Sequence, residues 1–444
     1  MASSYPQQLA EAIREFLPAH AFARVPVGRA RRWRPQRLAW LALLSSWGEG
    51  ATLAARWGMA AEVAKAVHPH WALGSSYSGF TAALGQGGFG LVAVVAARLR
   101  RGTAGAVDDP GRGGRGRVFA VDGTRIEAPR ALAGERGLGR AGREKTGPQV
   151  FLTAFWHVAS GLPWDFRVGP GTDSERRHAA DMIAGLPPGS MLVADAGFAG
   201  YPLCRRLLTA GHSFLIRVGG NVTLLEGLGW HVDDRGGLVH LWPARHRRRP
   251  PLVLRRIVLR AAPGDRDGEA EEVHLLTDVL DPSRLEDADA EEMYKARWGE
   301  EVFFRTLKQT MQRRRLLSRT PATCLLEAAW TLLGLWLLAL TASRRLAEAG
   351  ADPRRLSPAR ARDVVRRAMR DGRPPRGRRP SLARELAACL KDDYVRRNPK
   401  AARNYPRKKQ EKPPGPPKIR AATATEIQEA ARFPPPKISH QWTA

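Results

Sequence analysis

Between positions 294 and 308, side chains that can bind metal ions or phosphate recur at intervals of three, four and seven residues. The segment contains good helix formers and no proline, and acidic residues precede it, which favours a helix. At about 100° per residue, the recurring side chains fall within an arc of about 60° on one helix face. They are Tyr294, Arg297, Glu301 and Lys308. Two cations, a phenol and a carboxylate on one face indicate a functional site.

The neighbouring acid, Glu300, is not part of this face. It lies about 100° away, so of the adjacent pair only Glu301 points with the other three side chains. Glu301 beside Arg297 and Arg305 is also typical of an ordinary ion pair on a helix surface, and taken alone that interpretation is the stronger one. A catalytic role for Glu301 therefore depends on carboxylates elsewhere in the chain.

Two strand-like segments end in such a carboxylate. RVFAVD ends at Asp122, and Gly123-Thr124 is expected to turn into a second strand from Arg125; MLVAD ends at Asp195. In open α/β sheets, ligands bind beyond the carboxyl ends of the strands, which makes both aspartates candidate site residues. Considered singly, Asp122 fits equally well as the cap of a turn, and Asp195 as the cap of the following helix.

Three converging carboxylates without cysteine or histidine form an oxygen-rich site, which suits Mg²⁺ or Mn²⁺ better than zinc. Two such ions can activate a water and stabilise the leaving oxygen of a phosphodiester in an in-line displacement. The predicted site contains Asp122, Asp195 and Glu301, with two Mg²⁺ ions for which Mn²⁺ can substitute. The sequence thus predicts a nuclease or a strand-transfer enzyme.

The charge of the chain indicates the partner. The 444 residues include 72 Lys and Arg against 43 Asp and Glu, a net charge of +29. This excess predicts a polyanionic partner, with nucleic acid ahead of an anionic membrane surface. The most apolar run, residues 328–342, is shorter than the roughly 20 residues of a spanning helix, so we expect a buried helix and no membrane contact. Three scattered cysteines predict a cytoplasmic, nucleoid-associated protein.

The first region by composition, residues 1–105, is predicted to be a helical DNA-binding region. Residues 29–37 form a basic cluster with tryptophans nearby, which suits phosphate contacts over a packed scaffold. Residues 52–67 resemble two short helical segments around Gly58, as in a helix-turn-helix. A helical bundle with a basic surface is the stronger interpretation.

Two further regions follow. In residues 115–345 strands alternate with helices, with a hairpin around Ser160-Gly161 and a β-rich insertion at residues 219–270. Residues 346–444 are basic and rich in Pro and Arg, which predicts a partly disordered region with a short amphipathic helix at residues 382–392 and a disordered tail over the last fifty residues.

The motifs of residues 115–345 resemble one known family. Its YREK signature is matched here by Tyr294, Arg297, Glu301 and Lys308, and the family is the IS4-type DDE transposases. FAVDGTRI around Asp122 and LVADAGFAGYPLC around Asp195 are similar to the family's two aspartate regions. The long insertion between the second aspartate and the glutamate is also similar.

This resemblance implies a mixed α/β fold: an RNase H-like catalytic core with a β-rich insertion, preceded by a helical domain and followed by a basic tail. It implies that Asp122, Asp195 and Glu301 form the catalytic, metal-binding triad. The residues that it implies for DNA contact are Tyr294, Arg297, Lys308 and Trp298. The first three would bind phosphates near the cleaved end, since arginine offers a bidentate fork and lysine a point charge. Trp298 would stack on an unpaired base, although a core role fits its indole equally well.

The implied activity is DNA transposition: metal-assisted hydrolysis at the transposon ends, followed by attack of the freed 3′-OH on target DNA. The implied partners are the terminal inverted repeats, the target duplex and a second copy of the chain in a DNA-bound homodimer. The chain departs from the family at Ala196, where a larger polar or basic residue often follows the second aspartate. This departure weakens a local DNA contact and leaves the triad intact.

Two other interpretations were compared. VDGT at residues 121–124 is similar to the DxDGT motif of haloacid-dehalogenase-like phosphatases, but their nucleophilic aspartate is Ala120 here, which excludes that chemistry. The second alternative is a domesticated or inactive transposase that binds DNA without cutting it. The intact set of carboxylates argues against this alternative, because binding alone does not require three acids among so many arginines.

Overall fold

The computed structural model describes residues 3–25, 32–107, 117–141, 147–229, 237–260, 272–371, 380–392 and 415–434. The chain forms two compact units. The first unit comprises Met1–Asp109, Gly123–Ser174 and Gly299–Lys391, and the second unit comprises Pro110–Asp122, Glu175–Trp298 and Asp392–Ala444. Each unit combines segments that are distant in sequence.

Helices and strands alternate in the middle of the chain, and helices dominate its beginning. The described helices are α1 (Tyr5–Phe16), α2 (Pro35–Trp47), α3 (Leu53–Val67), α4 (Tyr77–Val107), α5 (Leu132–Leu138), α6 (Glu175–Met182), α7 (Tyr201–Thr209), α8 (Asp287–Ala296), α9 (Trp298–Gln309), α10 (Pro321–Glu348), α11 (Pro358–Arg370), α12 (Leu382–Ala387) and α13 (Ala424–Ala430). The described strands are β1 (Val118–Glu127), β2 (Arg140–Ala141), β3 (Gly147–His157), β4 (Leu162–Pro170), β5 (Met191–Ala194), β6 (Ser213–Val218), β7 (Thr223–Glu226), β8 (Leu238–Leu241), β9 (Leu252–Arg260), β10 (Glu272–Thr277) and β11 (Lys418–Ala421). The fold is mixed α/β.

Helix α10 is the core of the first unit, where α2, α4, α11 and α12 pack against it. A capping box at Thr320 starts the helix, and its residues 328–343 are buried. Gly334 allows α2 to approach closely, because a Cβ there would collide with Ser46, and the Trp47 indole N–H donates to the Gly334 carbonyl at 2.9 Å. The predicted buried helix at residues 328–342 is confirmed, within a longer helix than the apolar run indicated.

By length and composition alone, two of the described helices could cross a membrane. In α10, of mean hydropathy 1.7, 83% of the most apolar window is buried inside the protein. In the stretch Tyr77–Gly105 of α4, of mean hydropathy 1.6, the buried share is 28%. The burial of α10 explains its composition, because a core helix of a large unit is apolar on all sides.

The N-terminal helices correct one expectation. Residues 53–67 form the single helix α3, in which Gly58 is an interior residue, so the helix-turn-helix interpretation of that segment is wrong. A Cβ placed on Gly58 would have no atom within 4 Å, so neither a turn nor a close contact requires glycine at this position. The helical-bundle interpretation agrees with the packing of α2 against α3 and α4. Residues 29–31 of the basic cluster at 29–37 lie outside the described residues, and residues 35–37 begin α2.

Strands β3 and β4 form the predicted hairpin of the first unit, with Gly161 in the left-handed conformation at φ 67°. Strand β1 differs from expectation, because it runs without interruption from Val118 to Glu127. The predicted turn at Gly123-Thr124 is wrong, since Gly123 is not among the glycines with positive φ and continues the strand.

The sheet of the second unit has the strand order β11-β7-β8-β9-β10-β6-β5-β1. Strands β1, β5 and β6 are parallel, and β5, α7 and β6 form a βαβ unit with buried apolar strands. Strands β6, β10, β9, β8 and β7 are antiparallel in succession. The predicted β-rich insertion therefore contributes β7, β8 and β9, which extend this sheet through the β9–β10 pair.

The C-terminal region is more ordered than its composition indicates. Helix α12 confirms the predicted helix near residue 382, whereas α11 was not expected. Residues 418–430 form β11 and α13, with β11 parallel to β7, so the prediction of a disordered tail is wrong there. Charge pairing explains this order: Glu426 of α13 accepts hydrogen bonds from Arg420 and pairs with Arg247. Residues 393–414 lie outside the described residues.

Candidate active site

Asp122 and Asp195 are neighbours on two parallel strands: Asp122 lies within β1, and Asp195 directly follows β5. The register of β1 and β5 pairs Val121 with Ala194, and each aspartate is the next residue on its strand. Asp195 keeps an extended backbone at φ −80° and ψ 172°. Paired residues on adjacent strands lie about 4.8 Å apart with their side chains on the same face. The two half-buried carboxylates therefore share one face of the sheet edge, directly after buried apolar residues.

The alternative roles of these aspartates are not supported. Asp195 precedes the short turn Ala196–Phe198, and the described residues include no hydrogen bond from its side chain to that turn. Asp122 lies inside the continuous strand β1, so there is no turn in the described chain at this position for it to cap. Neither the turn cap considered for Asp122 nor the helix cap considered for Asp195 is therefore observed in the described residues.

Tyr294 of α8 lies against Asp195. Its side chain is buried, and its hydroxyl donates to Oδ1 of Asp195 at 3.4 Å. Burial, and next the negative charge of Asp195, raise the pKa of Tyr294, so the phenol stays protonated and continues to donate. The guanidinium of Arg297 lies 5.5 Å from the centre of the Tyr294 ring. The family resemblance implied a phosphate contact for Tyr294. In the structure, its hydroxyl is instead placed to orient the carboxylate of Asp195.

Arg217 is a site residue that the sequence analysis missed. The register of β5 and β6 pairs Ala194 with Ile216, which puts Arg217 beside Asp195 at the same sheet edge. Arg217 also hydrogen-bonds to Tyr294 and opposes the rise of its pKa. The strand-end argument that identified the aspartates would have found it, since Arg217 is the one charged residue in the apolar segment SFLIRV.

A second cation holds the loop after Asp195. Nε of Arg176, at the start of α6, donates to the carbonyl of Gly197 at 2.6 Å. A Cβ on Gly200 would lie 3.3 Å from the Arg176 guanidinium, so a glycine leaves room for this contact. Arg176 contacts the loop after Asp195, and Arg217 lies beside Asp195 on the next strand. Their positive charges favour an anionic substrate at Asp195.

The predicted single helix through residues 294–308 is two helices. Helix α8 ends at Ala296 and α9 begins at Trp298, although Arg297 keeps helical angles of φ −52° and ψ −30°. The interruption puts two glutamates in the first turn of α9, where the helix dipole favours them. The boundary between the two units falls at the same place, between Trp298 and Gly299. The prediction of one uninterrupted helix over residues 294–308 is therefore wrong.

The residues of α9 differ in exposure. Glu300 is completely buried, whereas Glu301 and Lys308 are half-buried. Trp298 has 60% of its surface exposed, which excludes the core role considered for it and leaves base stacking as a prediction. Glu301 and Lys308 belong to the first unit, and their convergence with the aspartates stays a prediction.

The donor chemistry of the aspartate pair fits a magnesium ion. Mg²⁺ is commonly held by one or two carboxylates together with waters and substrate phosphates, which is what Asp122 and Asp195 offer at their shared edge. Among the described residues, no group of three or more His, Cys, Asp or Glu side chains is positioned to hold a metal ion. The observed pair is thus compatible with a cation, and a third ligand remains a prediction.

Neighbouring aspartates on parallel strands, flanked by cations, are compatible with an enzyme that acts on phosphodiesters. Residues 113–337, slightly more than half of the chain, match the family of the transposase DDE domain. The chain belongs to the DDE transposases, and it is an IS4-type member of them. It is 27% identical over 309 residues to the transposase InsG for insertion sequence element IS4 of Escherichia coli (strain K12), covering 67% of this chain and 68% of that protein. This protein is therefore a DNA transposase of an insertion sequence.

A solved structure is also similar. It is the piggyBac transposase synaptic complex with hairpin DNA, at 11% identity and a TM-score of 0.40, over 86% of this chain and 83% of that chain.

Proposed function

We propose that this transposase catalyses cut-and-paste transposition. A water attacks the phosphodiester at each transposon end, the P–O3′ bond of the transferred strand breaks, and a 3′-OH is freed. This 3′-OH then attacks a target phosphodiester, which forms a new P–O bond as the target strand's 3′ oxygen leaves. The observation that carries the proposal is the register that places Asp122 beside Asp195.

The proposed triad is Asp122, Asp195 and Glu301, on a core of RNase H-like type. Its support is the parallel set β1, β5 and β6 in one unit and the β3–β4 hairpin in the other. DDE transposases in general use divalent metal ions. The chemistry that Mg²⁺ or Mn²⁺ supplies at such carboxylates is a lowered pKa of bound water and stabilisation of the leaving oxygen.

The chain's own residues would position the substrate around this site. Tyr294 holds Asp195 in its orientation, and Arg217 and Arg297 add positive charge near the same carboxylate. Lys308 is proposed to bind a phosphate at the cleaved end, and Trp298, which is exposed, to stack on an unpaired base. Arg297 is buried over the Tyr294 ring in the absence of DNA, so its proposed phosphate contact requires it to become accessible when DNA binds. The proposed partners are the terminal inverted repeats, target DNA and a second copy of the chain, in the cytoplasm.

The direct test is cleavage of a duplex that carries the element's end. With Mg²⁺, the wild-type protein should cut it, and Asp195→Asn should reduce the rate by at least about 1,000-fold, since the carboxylate contributes to charge stabilisation in the transition state. Binding of the same duplex without divalent metal should persist in the variant. Binding without any cleavage by the wild-type protein, in Mg²⁺ or Mn²⁺, would instead establish the DNA-binding alternative.

A further inference from the structure

The loop between β8 and β9 presents an unusual concentration of positive charge. Residues 243–250, called here the arginine loop, expose the side chains of Arg245, Arg248 and Arg249. Within the described part of the chain, none of these three guanidiniums forms an ion pair. Three like charges in five residues repel one another, so their arrangement is unfavourable until an anion binds.

The arginine loop is rigid because its backbone and its base are fixed. The Trp242 indole N–H donates to the Arg249 carbonyl at 2.7 Å, and the Arg249 amide donates to the His246 carbonyl at 3.0 Å. Arg247 serves a different purpose from its neighbours. Its guanidinium lies 4.5 Å from the centre of the Trp242 ring and pairs with Glu426 and Glu429 of α13. Arg247 therefore anchors the loop while the other three arginines face solvent.

The arginine loop is attached to the segment that follows Asp195. The Tyr201 hydroxyl donates to the Pro250 carbonyl at 2.6 Å, and the His246 ring stacks on the Tyr201 ring at a centroid distance of 4.8 Å. Tyr201 follows Asp195 by six residues, a stretch that can span at most about 20 Å. The loop thus lies within about one helical turn of a DNA duplex, roughly 34 Å, from the proposed cleavage site.

From this placement we propose that the arginine loop binds the sugar–phosphate backbone of a DNA duplex held at Asp195. Arginine forks match phosphate oxygens in a bidentate manner, and each neutralised phosphate releases condensed counterions. The rigid loop presents Arg245, Arg248 and Arg249 with little loss of backbone freedom on binding. This inference rests on the proposed function for its location beside the cut, and the duplex is either the transposon end or the target DNA.

The test compares the wild-type protein with Arg245→Ala/Arg248→Ala in binding assays over a range of NaCl concentrations, without divalent metal. Loss of two phosphate contacts should reduce the slope of log K against log[salt] by about 1.8 and weaken binding at least about 10-fold at 0.1 M salt. One duplex carries the element's end, and a second of equal length lacks it. Arg245→Lys/Arg248→Lys, which keeps the charges, should retain most of the slope.

The two duplexes separate the sources. If the double variant binds only the end-carrying duplex more weakly than the wild type does, the occupant is the transposon end. If it also binds the end-free duplex more weakly, the occupant is target DNA. Unchanged slopes for both duplexes, with a thermal midpoint equal to that of the wild type, would overturn the proposal. The binding assay contains no metal, so its result does not depend on cleavage. A reduced slope for the variant, together with no cleavage by the wild-type protein in Mg²⁺, would refute the proposed function and still support DNA binding by the arginine loop.

Discussion

At the residue scale, the site is built on the pairing of Asp122 with Asp195 and on the contact of Tyr294 with Asp195. The family resemblance implied phosphate contact for Tyr294, whereas its hydroxyl lies on a carboxylate. A hydrogen bond to a metal-binding carboxylate fixes its orientation, and the loss of such a bond typically reduces metal affinity or activity by 10- to 100-fold. Tyr294 is thus a positioning residue in the absence of DNA.

Tyr294→Phe tests this positioning role. The variant keeps the ring that packs near Arg297 and removes the hydroxyl that donates to Asp195. We expect the Mg²⁺ concentration for half-maximal cleavage to rise by about 10-fold, with little change in DNA binding. Tyr201→Phe is the matched control, since its hydroxyl donates to the backbone of Pro250. An equal shift in both variants would contradict the role of Tyr294.

Arg217 shows why part of the site escaped sequence analysis. A lone arginine at the end of an apolar segment is ordinary in a chain of charge +29, and its meaning comes from the register of β5 and β6. The two aspartates could be singled out because each directly follows a buried apolar segment, although only Asp195 ends its strand. The interruption at Arg297 was not predictable, because its backbone angles are still helical.

At the element scale, Asp278 joins the end of β10 to the start of β6. It is buried, and it accepts hydrogen bonds from the Phe214 amide at 2.8 Å and the Ser213 hydroxyl at 2.9 Å. Burial raises its pKa from 3.8 to about 6, although these hydrogen bonds act in the opposite direction. The charged form therefore costs stability at neutral pH.

This cost has a defined pH dependence. Because the folded-state pKa of Asp278 is above the unfolded value, its contribution to stability is fully present below about pH 4 and is lost as the pH rises through about 6. Asp278→Asn should remove that dependence and raise the free energy of unfolding at pH 7.5 by roughly 1–3 kcal/mol. Urea unfolding between pH 4.5 and 7.5 measures this. A variant with an unchanged pH slope would show that Asp278 is not the titrating group.

Strands were predicted better than connections. The β3–β4 hairpin and the apolar strands before the two aspartates follow from alternating or continuous apolar segments. Strand β1 was divided in error, since Gly123-Thr124 has turn composition and yet pairing across the sheet keeps it extended. The order of residues 418–430 depends on Arg247, which is distant in sequence, and no local pattern reports such a contact.

At the scale of the whole molecule, the C-terminal segment covers an edge of the second unit. Strand β11 pairs with β7, and Glu426 joins Arg420 and Arg247, which lowers the pKa of Glu426 mainly through the Arg420 hydrogen bond. An uncovered strand edge invites pairing with another chain. Strand β11 now occupies that edge itself, so the contribution of the segment that follows from these contacts is to the stability of the second unit.

Glu426→Ala tests this contribution. Loss of the carboxylate leaves Arg247 without its shortest ion-pair contact and weakens the docking of α13. We expect a loss of about 2 kcal/mol in the free energy of unfolding, because the buried carboxylate that joins Arg247 to Arg420 is removed, while Arg247 keeps its pair with Glu429. Glu291→Gln, at an exposed i,i+4 pair with Lys295, should change stability by less than about 0.5 kcal/mol. Equal effects in thermal unfolding would contradict the docking role.

The basic charge of the chain follows from its function as a DNA transposase. Part of it is absorbed in structural pairs such as Arg345 with Glu348, and part is displayed on the arginine loop. Which arginines belong to each class could not be predicted from composition, because Arg247 and Arg248 are adjacent in sequence and have opposite environments.

The central claim is that Asp195 holds a divalent metal ion during DNA cleavage, and a ligand exchange tests it most directly. In Asp195→Cys a thiolate replaces the carboxylate, which disfavours the hard Mg²⁺ more than the softer Mn²⁺. The account predicts that this variant binds the end-carrying duplex normally, fails to cut it in Mg²⁺ and regains cleavage in Mn²⁺, while Asp195→Ala stays inactive in both. Equal cleavage by Asp195→Cys in the two metals would contradict metal ligation by Asp195.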